Sequence, residues 1–232
     1  MTKIAVIDYG MGNLHSVSKA LEEVSTTEEI IVTSDLETIR RADKIVLPGV
    51  GAIKDCLDAF SDDLRSVTLD LIRNKPTFAI CVGMQMLLES SEENGGVKCL
   101  NILDGRIVKI PASKEIKVPH MGWNKINYLS DHFLWSNIPN RSFFYFVHSY
   151  CCLSSSDAIS ETSHGANFIS ALGKDNIFAV QFHPEKSQNL GLQLYKNFLD
   201  WSQLKSMPRL KTMVCNKWIK MQLPHIEICD NK

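Results

Sequence analysis

The stretch Thr77 to Gln85, TFAICVGMQ, carries four strand-forming residues straight into a cysteine, a glycine and the start of a further periodic segment. Thr77 to Ile80 reads as a buried strand and Gly83 to Ser90 as a helix, which puts Cys81 on a sharp strand-to-helix turn. A nucleophile on such a turn is held strained and exposed, and the positions beside it must be small for the turn to close, a need that Gly83 meets. The helix that follows turns its N-terminal N–H groups and positive dipole end toward the sulfur, an arrangement that activates a cysteine. Alone, a cysteine at a strand end is better explained by packing, so the flanking sequence has to decide.

Outward from this turn, apolar runs alternate with amphipathic ones in the rhythm of βαβ units. Lys3 to Asp8 is a strand. Asn13 is placed to cap the next helix, whose Leu14, Val17, Ala20, Leu21 and Val24 share one face. Ile30 to Val32 is a second strand, a helix starts at Ser34 or Asp35 and ends near Arg41, and Lys44 to Leu47 is a third strand ending in PGVG. Ile53 to Arg73 is helical with a break at Ser61-Asp62-Asp63. Beyond Leu103 short strands take over: Arg106 to Ile110, Lys125 to Tyr128, Phe143 to Val147, Ala158 to Glu161, Asn167 to Leu172 and Ile177 to Phe182, with a closing helix from Leu190 to Trp201. The expected fold is α/β, an open, mostly parallel doubly wound sheet whose later strands form an antiparallel extension.

A cysteine nucleophile needs a base, and the base an orienting carboxylate. Gln181-Phe182-His183-Pro184-Glu185, at the end of another expected strand, supplies both. Residues i and i+2 of an extended chain project to one side, so Glu185 can sit beside the imidazole of His183 while Pro184 stiffens the link. The loop Leu47-Pro48-Gly49-Val50-Gly51-Ala52 adds backbone N–H groups suited to an oxyanion, although an ordinary βα turn has the same composition.

Net charge is -1, which gives no electrostatic reason to expect nucleic acid or an anionic membrane as partner. No apolar run approaches the roughly 18 residues of a membrane span, and MTKIAVIDYG runs into Asp8 and a glycine turn instead of a cleavage site. Cytoplasmic residence is the expectation. The seven cysteines are odd in number and irregularly spaced, so reduced, buried thiols are expected, the adjacent Cys151 and Cys152 included.

DYGMGNL (Asp8 to Leu14), LPGVGA (Leu47 to Ala52), ICVGMQ (Ile80 to Gln85), HMGWN (His120 to Asn124), YFVHSY (Tyr145 to Tyr150) and QFHPEKSQ (Gln181 to Gln188) occur in an order and spacing that resembles the class I (triad-type) glutamine amidotransferases. Within these, the chain is similar to the glutaminase subunits of imidazole glycerol phosphate synthases. The resemblance implies a Cys81, His183 and Glu185 triad that hydrolyses glutamine. It implies an oxyanion hole from the backbone of Gly49, Val50 and Gly51 with the N–H of Val82, and substrate contacts from Gln85, Ser149 and Tyr150. It also implies a (β/α)8-barrel cyclase as partner in a heterodimer, without which the glutaminase is nearly silent. Asn13 and Trp123 fall near that interface; Trp123 is equally compatible with a core position. No cofactor and no metal are implied.

In that family the position of Ala79 is usually glycine, a small change. The resemblance covers residues 3 to about 201, so an amidotransferase domain is expected over residues 1–203 and an extension of unassigned role over 204–232. Competing readings are a paralogue that supplies ammonia to a sugar-modifying amidotransferase, a non-catalytic scaffold, and a cysteine hydrolase of similar fold. The intact nucleophile and base speak against a scaffold, and Gln85 with YFVHSY speaks for glutamine.

Overall fold

The computed structural model describes residues 1–201 apart from Ser113 and Glu115. The extension read at residues 204–232 lies outside the described residues. The first half alternates as the sequence predicts: β1 (Lys3–Ile7), α1 (Leu14–Val24), β2 (Glu29–Thr33), α2 (Leu36–Arg41), β3 (Lys44–Leu47), α3 (Ile53–Ala59), α4 (Asp62–Ile72), β4 (Thr77–Ile80) and α5 (Val82–Leu87). The second half holds β5 (Ser90–Ser91), β6 (Val97–Lys98), β7 (Arg106–Lys109), β8 (His120–Lys125), β9 (Asn127–Tyr128), β10 (Phe143–His148), β11 (Tyr150–Cys152), β12 (Ala158–His164), β13 (Ala166–Lys174), β14 (Ile177–Val180) and α6 (Gln188–Asp200).

The main sheet runs β2-β1-β3-β4-β14-β13-β11-β7-β5-β6, with β12 and β9 branching from β13. From β2 to β14 every pairing is parallel. β1, β3, β4 and β14 are buried almost throughout, the pattern of parallel strands covered on both faces. Asp35 caps α2 by accepting from the backbone N–H of Thr38 at 2.8 Å. At α4 the break at Ser61 is where the sequence predicts it.

Three expectations are corrected. Ile177 to Phe182 is no antiparallel addition: β14 pairs in parallel with β4, Ala179 beside Ala79, and is antiparallel only to β13. Its unbroken, fully buried IFAV run is that of a doubly covered central strand. β10, expected at Phe143 to Val147, pairs with β8 in a separate two-stranded ribbon instead of extending the main sheet, and of the expected Lys125 to Tyr128 strand Lys125 ends β8 while Asn127 and Tyr128 form β9, antiparallel to β12 in the main sheet. Asn13 precedes α1 but makes no side-chain cap, because its amide is used elsewhere.

Among the described residues, Cys56, Cys81, Cys99, Cys151 and Cys152 are free thiols, and Cys151 and Cys152 are packed in β11. Among the described residues no helix is long and apolar enough to cross a membrane.

Candidate active site

β3, β4 and β14 end side by side, and the candidate residues stand at their C-terminal ends, where open parallel sheets hold their ligands. Cys81 adopts φ 54° and ψ -111°, a left-handed conformation that only a well-determined surround sustains in a residue with a Cβ. The surround is backbone. A Cβ on Gly83 would meet the Leu47 carbonyl oxygen at 2.1 Å, and one on Gly49 would meet the Gly83 nitrogen at 2.5 Å. Elbow and glycine loop therefore touch main chain to main chain, which requires glycine on both sides.

β14 delivers His183 to the same place. The backbone N–H of His183 donates to the Tyr145 carbonyl at 2.8 Å, and its Nδ1 meets Glu185 Oε1 at 2.8 Å. Both side chains are buried, 2% and 1% exposed, so the pair is not diluted by water. Burial opposes charge on the imidazole, but the Cys81 sulfur and the Glu185 carboxylate outweigh it and push His183 up to about 10. Burial likewise opposes the Glu185 charge, yet His183, backbone N–H and Asn13 hold its carboxyl below the usual range. With Nδ1 bound to Glu185, the imidazole turns Nε2 to the sulfur, and Cys81 and His183 line one cavity of about 360 Å³. A sulfur nucleophile, a basic imidazole and a buried orienting carboxylate together make acyl transfer the chemistry available here.

The remaining expected residues gather around this triad with two qualifications of detail. The N–H of Val82 is engaged by the Gly49 carbonyl at 3.3 Å, so the Gly49–Val50 peptide presents its oxygen where an oxyanion hole would present donors. The N–H at this helix start needs an acceptor, and the loop provides one. Val50 and Gly51 line the cavity, Gly51 at φ +91°. Tyr9 pins the loop from behind, its hydroxyl donating to the Pro48 carbonyl at 2.6 Å. Gln85, Ser149 and Tyr150 also line the cavity. Gln85 donates through Nε2 to the Tyr150 carbonyl at 3.1 Å and to Gln181 Oε1 at 2.9 Å, so its donor side braces the wall.

Several wall residues escaped the sequence reading. Glu93 brings a carboxylate to the cavity while accepting from the Ile53 N–H at 2.9 Å, and no periodic or motif signal marks it. Behind the wall, Gln181 sets its amide 3.8 Å from the Cys81 sulfur; it and Lys186, which lines the cavity, were legible only as parts of QFHPEKSQ. His148 lines the cavity too, and continues into a chain of neutral rings. The hydrogen-bond pattern assigns the protons: His148 Nδ1–H donates to the Tyr150 carbonyl at 2.9 Å, His120 Nδ1–H to His148 Nε2 at 2.9 Å, and the Asn124 amide to His120 Nε2 at 3.1 Å.

The two residues expected at a partner interface differ in exposure. Asn13 reaches inward, donating to Glu185 Oε1 at 3.2 Å. Trp123 is 45% exposed on the β8–β10 ribbon, beside Tyr145 in an edge-on pair at 6.2 Å, with Met121 and Phe143 exposed to similar or greater degree on the same face. It is not a core residue.

Comparison with known proteins agrees with this fold. Residues 5–201 match the model of the family described as Glutamine amidotransferase class-I. The chain is 52% identical over 210 residues to the imidazole glycerol phosphate synthase subunit HisH of Nitrosococcus oceani, covering 87% of this chain and 99% of that one. It is 53% identical over 207 residues to the protein of the same name from Acinetobacter baylyi, covering 87% and 100%. Among solved structures, PurLQS from Thermotoga maritima shares the fold with a TM-score of 0.62 at 16% identity, covering 86% of this chain and 98% of that one. A structure titled glutamine amidotransferase shares it with a TM-score of 0.61 at 12% identity over 85% and 97%. With a family match across nearly all the described residues and half of the aligned positions shared with relatives matched over almost their whole length, this chain belongs to the class-I glutamine amidotransferases, among the HisH subunits of imidazole glycerol phosphate synthase.

Proposed function

We propose that this chain is the glutaminase subunit of an imidazole glycerol phosphate synthase, which hydrolyses glutamine to glutamate and ammonia for a (β/α)8-barrel cyclase in histidine biosynthesis. The observation that carries this reading is the meeting of Cys81 and His183 at one cavity, from the ends of two adjacent parallel strands, with the Glu185 carboxylate behind the imidazole on Nδ1. Kinship with HisH subunits over their whole length supports the histidine pathway over delivery to a sugar.

In this mechanism the Cys81 thiolate attacks the side-chain amide carbon of glutamine. The imidazolium of His183 gives its Nε2 proton to the departing nitrogen, leaving a glutamyl thioester, ammonia and a neutral ring. That ring then takes a proton from water as the water attacks the thioester, and glutamate leaves with thiolate and imidazolium restored. Glu185 keeps the ring in the tautomer and orientation both steps need. The tetrahedral oxyanion is received by the Val82 N–H and the backbone of Gly49 to Gly51, once the Gly49–Val50 peptide turns its oxygen away. Gln85, Ser149 and Tyr150 shape the substrate pocket, and the Glu93 carboxylate suits the α-ammonium group of glutamine.

The cyclase docks on the β8–β10 face, with Trp123 as anchor and Met121 and Phe143 beside it, and with the Gly10 to Asn13 turn adjoining the triad. Val147 of β10 and Lys186 line the cavity, so the face and the chemistry are continuous. On this reading the chain works in a heterodimer with the cyclase, in the cytoplasm.

The test is a complex reconstituted with the barrel subunit and its ribonucleotide. Cys81→Ala abolishes glutamine-dependent turnover and leaves turnover with ammonium salts intact. A wild-type complex that releases no glutamate from glutamine would sink the reading.

A further inference from the structure

Behind the triad, α6 packs so tightly that its register is set by one residue. A Cβ on Gly191 would meet the Pro184 carbonyl oxygen at 1.8 Å, so this face of α6 lies directly on the turn that carries Glu185. Tyr195 follows four residues later on the same face. It is fully buried, with its ring 5.6 Å from that of Phe78, and its hydroxyl has no hydrogen-bond partner. Glu185 is satisfied on one side only: Oε1 accepts from His183 and Asn13, while Oε2 is buried and without a partner. A phenolic donor and a carboxylate acceptor, both removed from water and neither in a formed hydrogen bond, lie close enough to act on each other. Burial and the adjoining Glu185 carboxylate also raise the Tyr195 ionisation well above its ordinary range, so the phenol keeps its proton. Leaving either group unpaired costs its full desolvation penalty, which a small rotation of the ring or the carboxylate removes.

We propose that Tyr195 is a positioning residue for the triad, its hydroxyl donating to Oε2 of Glu185 so that Oε1 stays on His183. The proposal rests on the triad role of Glu185 proposed above. Its consequence is electrostatic as well as geometric. A donor to the charged form of a carboxylate favours that form. Without it Glu185 takes up a proton at higher pH, and a neutral Glu185 no longer supports the imidazolium of His183. Tyr195 does not line the cavity, so the effect falls on turnover and not on glutamine binding.

The experiment compares Tyr195→Phe and Tyr195→Leu in the full complex. Both are expected to lower the glutamine-dependent kcat about tenfold near neutrality, with KM within about twofold and ammonium-dependent turnover unchanged. Both move the acid limb of kcat to higher pH, although only the leucine variant opens a cavity and lowers Tm markedly. A readout free of turnover comes from NMR of the labelled His183 ring in the isolated chain. Its acid inflection, which reports protonation of Glu185, moves to higher pH in Tyr195→Phe. A phenylalanine variant with wild-type kcat, acid limb and inflection overturns the proposal, as does a loss confined to leucine, which packing would explain. If wild type released no glutamate while the inflection still moved, the glutaminase reading would fail and the Tyr195 bond would stand.

Discussion

At Gly83 the backbone of one strand presses on the turn of the next. The 2.1 Å that a Cβ would leave to the Leu47 carbonyl is far inside any contact that real side chains show, and its neighbour there is backbone, which cannot step aside. Gly83→Ala is therefore expected to destabilise the fold by about 1–3 kcal/mol and to abolish glutaminase activity even where the protein still folds. Urea unfolding and glutamate release measure the two effects, and a variant with a wild-type midpoint and rate would show that the elbow is not closed by this contact. At His183 the sign of charge is the functional issue. Its pKa is raised, so the stability of the imidazolium with Cys81 and Glu185 is fully present below the unfolded value near 6.5 and is lost as pH rises through about 10. Glutamine turnover is accordingly expected to hold across neutrality and to decline on the alkaline side as the ring loses its proton. A pH–rate profile of the complex with its alkaline limb already falling at pH 7 contradicts that.

Among the elements, the β8–β10 ribbon does two things with one register. Pairing Tyr145 with Trp123 and Phe143 with Lys125 puts aromatic and apolar side chains on the outward face, while His120, Phe144, Phe146 and His148 point inward. An exposed Trp beside an exposed Met and Phe is the composition of an interface centre. Trp123→Ala is expected to weaken binding of the barrel subunit by about 2 kcal/mol or more, with turnover at saturating partner close to wild type. Titration calorimetry with a parallel glutaminase assay separates the two, and unchanged affinity would move the docking face elsewhere. The ribbon also marks where sequence stopped being informative. β1 to β4 were legible because each is a short apolar run bounded by a helix of clear period. β5, β6 and β11 are two or three residues long, and nothing local distinguishes them from loop. The parallel placement of β14 was not legible either, since its partner is decided by which strand end is left uncovered and not by its own residues. The triad was legible because strand-turn-helix and His-Pro-Glu each impose a local geometry. Glu93 was not, because only the folded chain brings it to the cavity.

For the whole molecule, the balance of buried histidines sets the acid limit. His120, His132 and His148 are held neutral inside the fold, burial being the leading cause in each case. It lowers His120 to about 3, with His148 and His164 adding to it, and lowers His132 and His148 to about 4. In the unfolded chain the same rings titrate near 6.5. Between those limits the unfolded state binds more protons, up to about three from this source, so the contribution of these three rings falls as pH drops from about 6.5 toward 4 and is flat above that window. The structural cost is specific. In the chain from Asn124 through His120 to His148 every acceptor nitrogen is already matched to a donor, so a proton added anywhere sets donor against donor. His132 Nδ1 accepts from the Leu134 N–H at 3.1 Å, while its ring packs against Phe178 and Trp201. His132→Asn keeps an acceptor for that N–H and removes one titrating ring, so it is expected to lose some stability at pH 7 but to show a shallower decline between pH 6.5 and 4.5. Urea midpoints measured across that range at constant ionic strength make the comparison. A parallel pair of curves for wild type and His132→Asn would show that this ring does not take up a proton on unfolding.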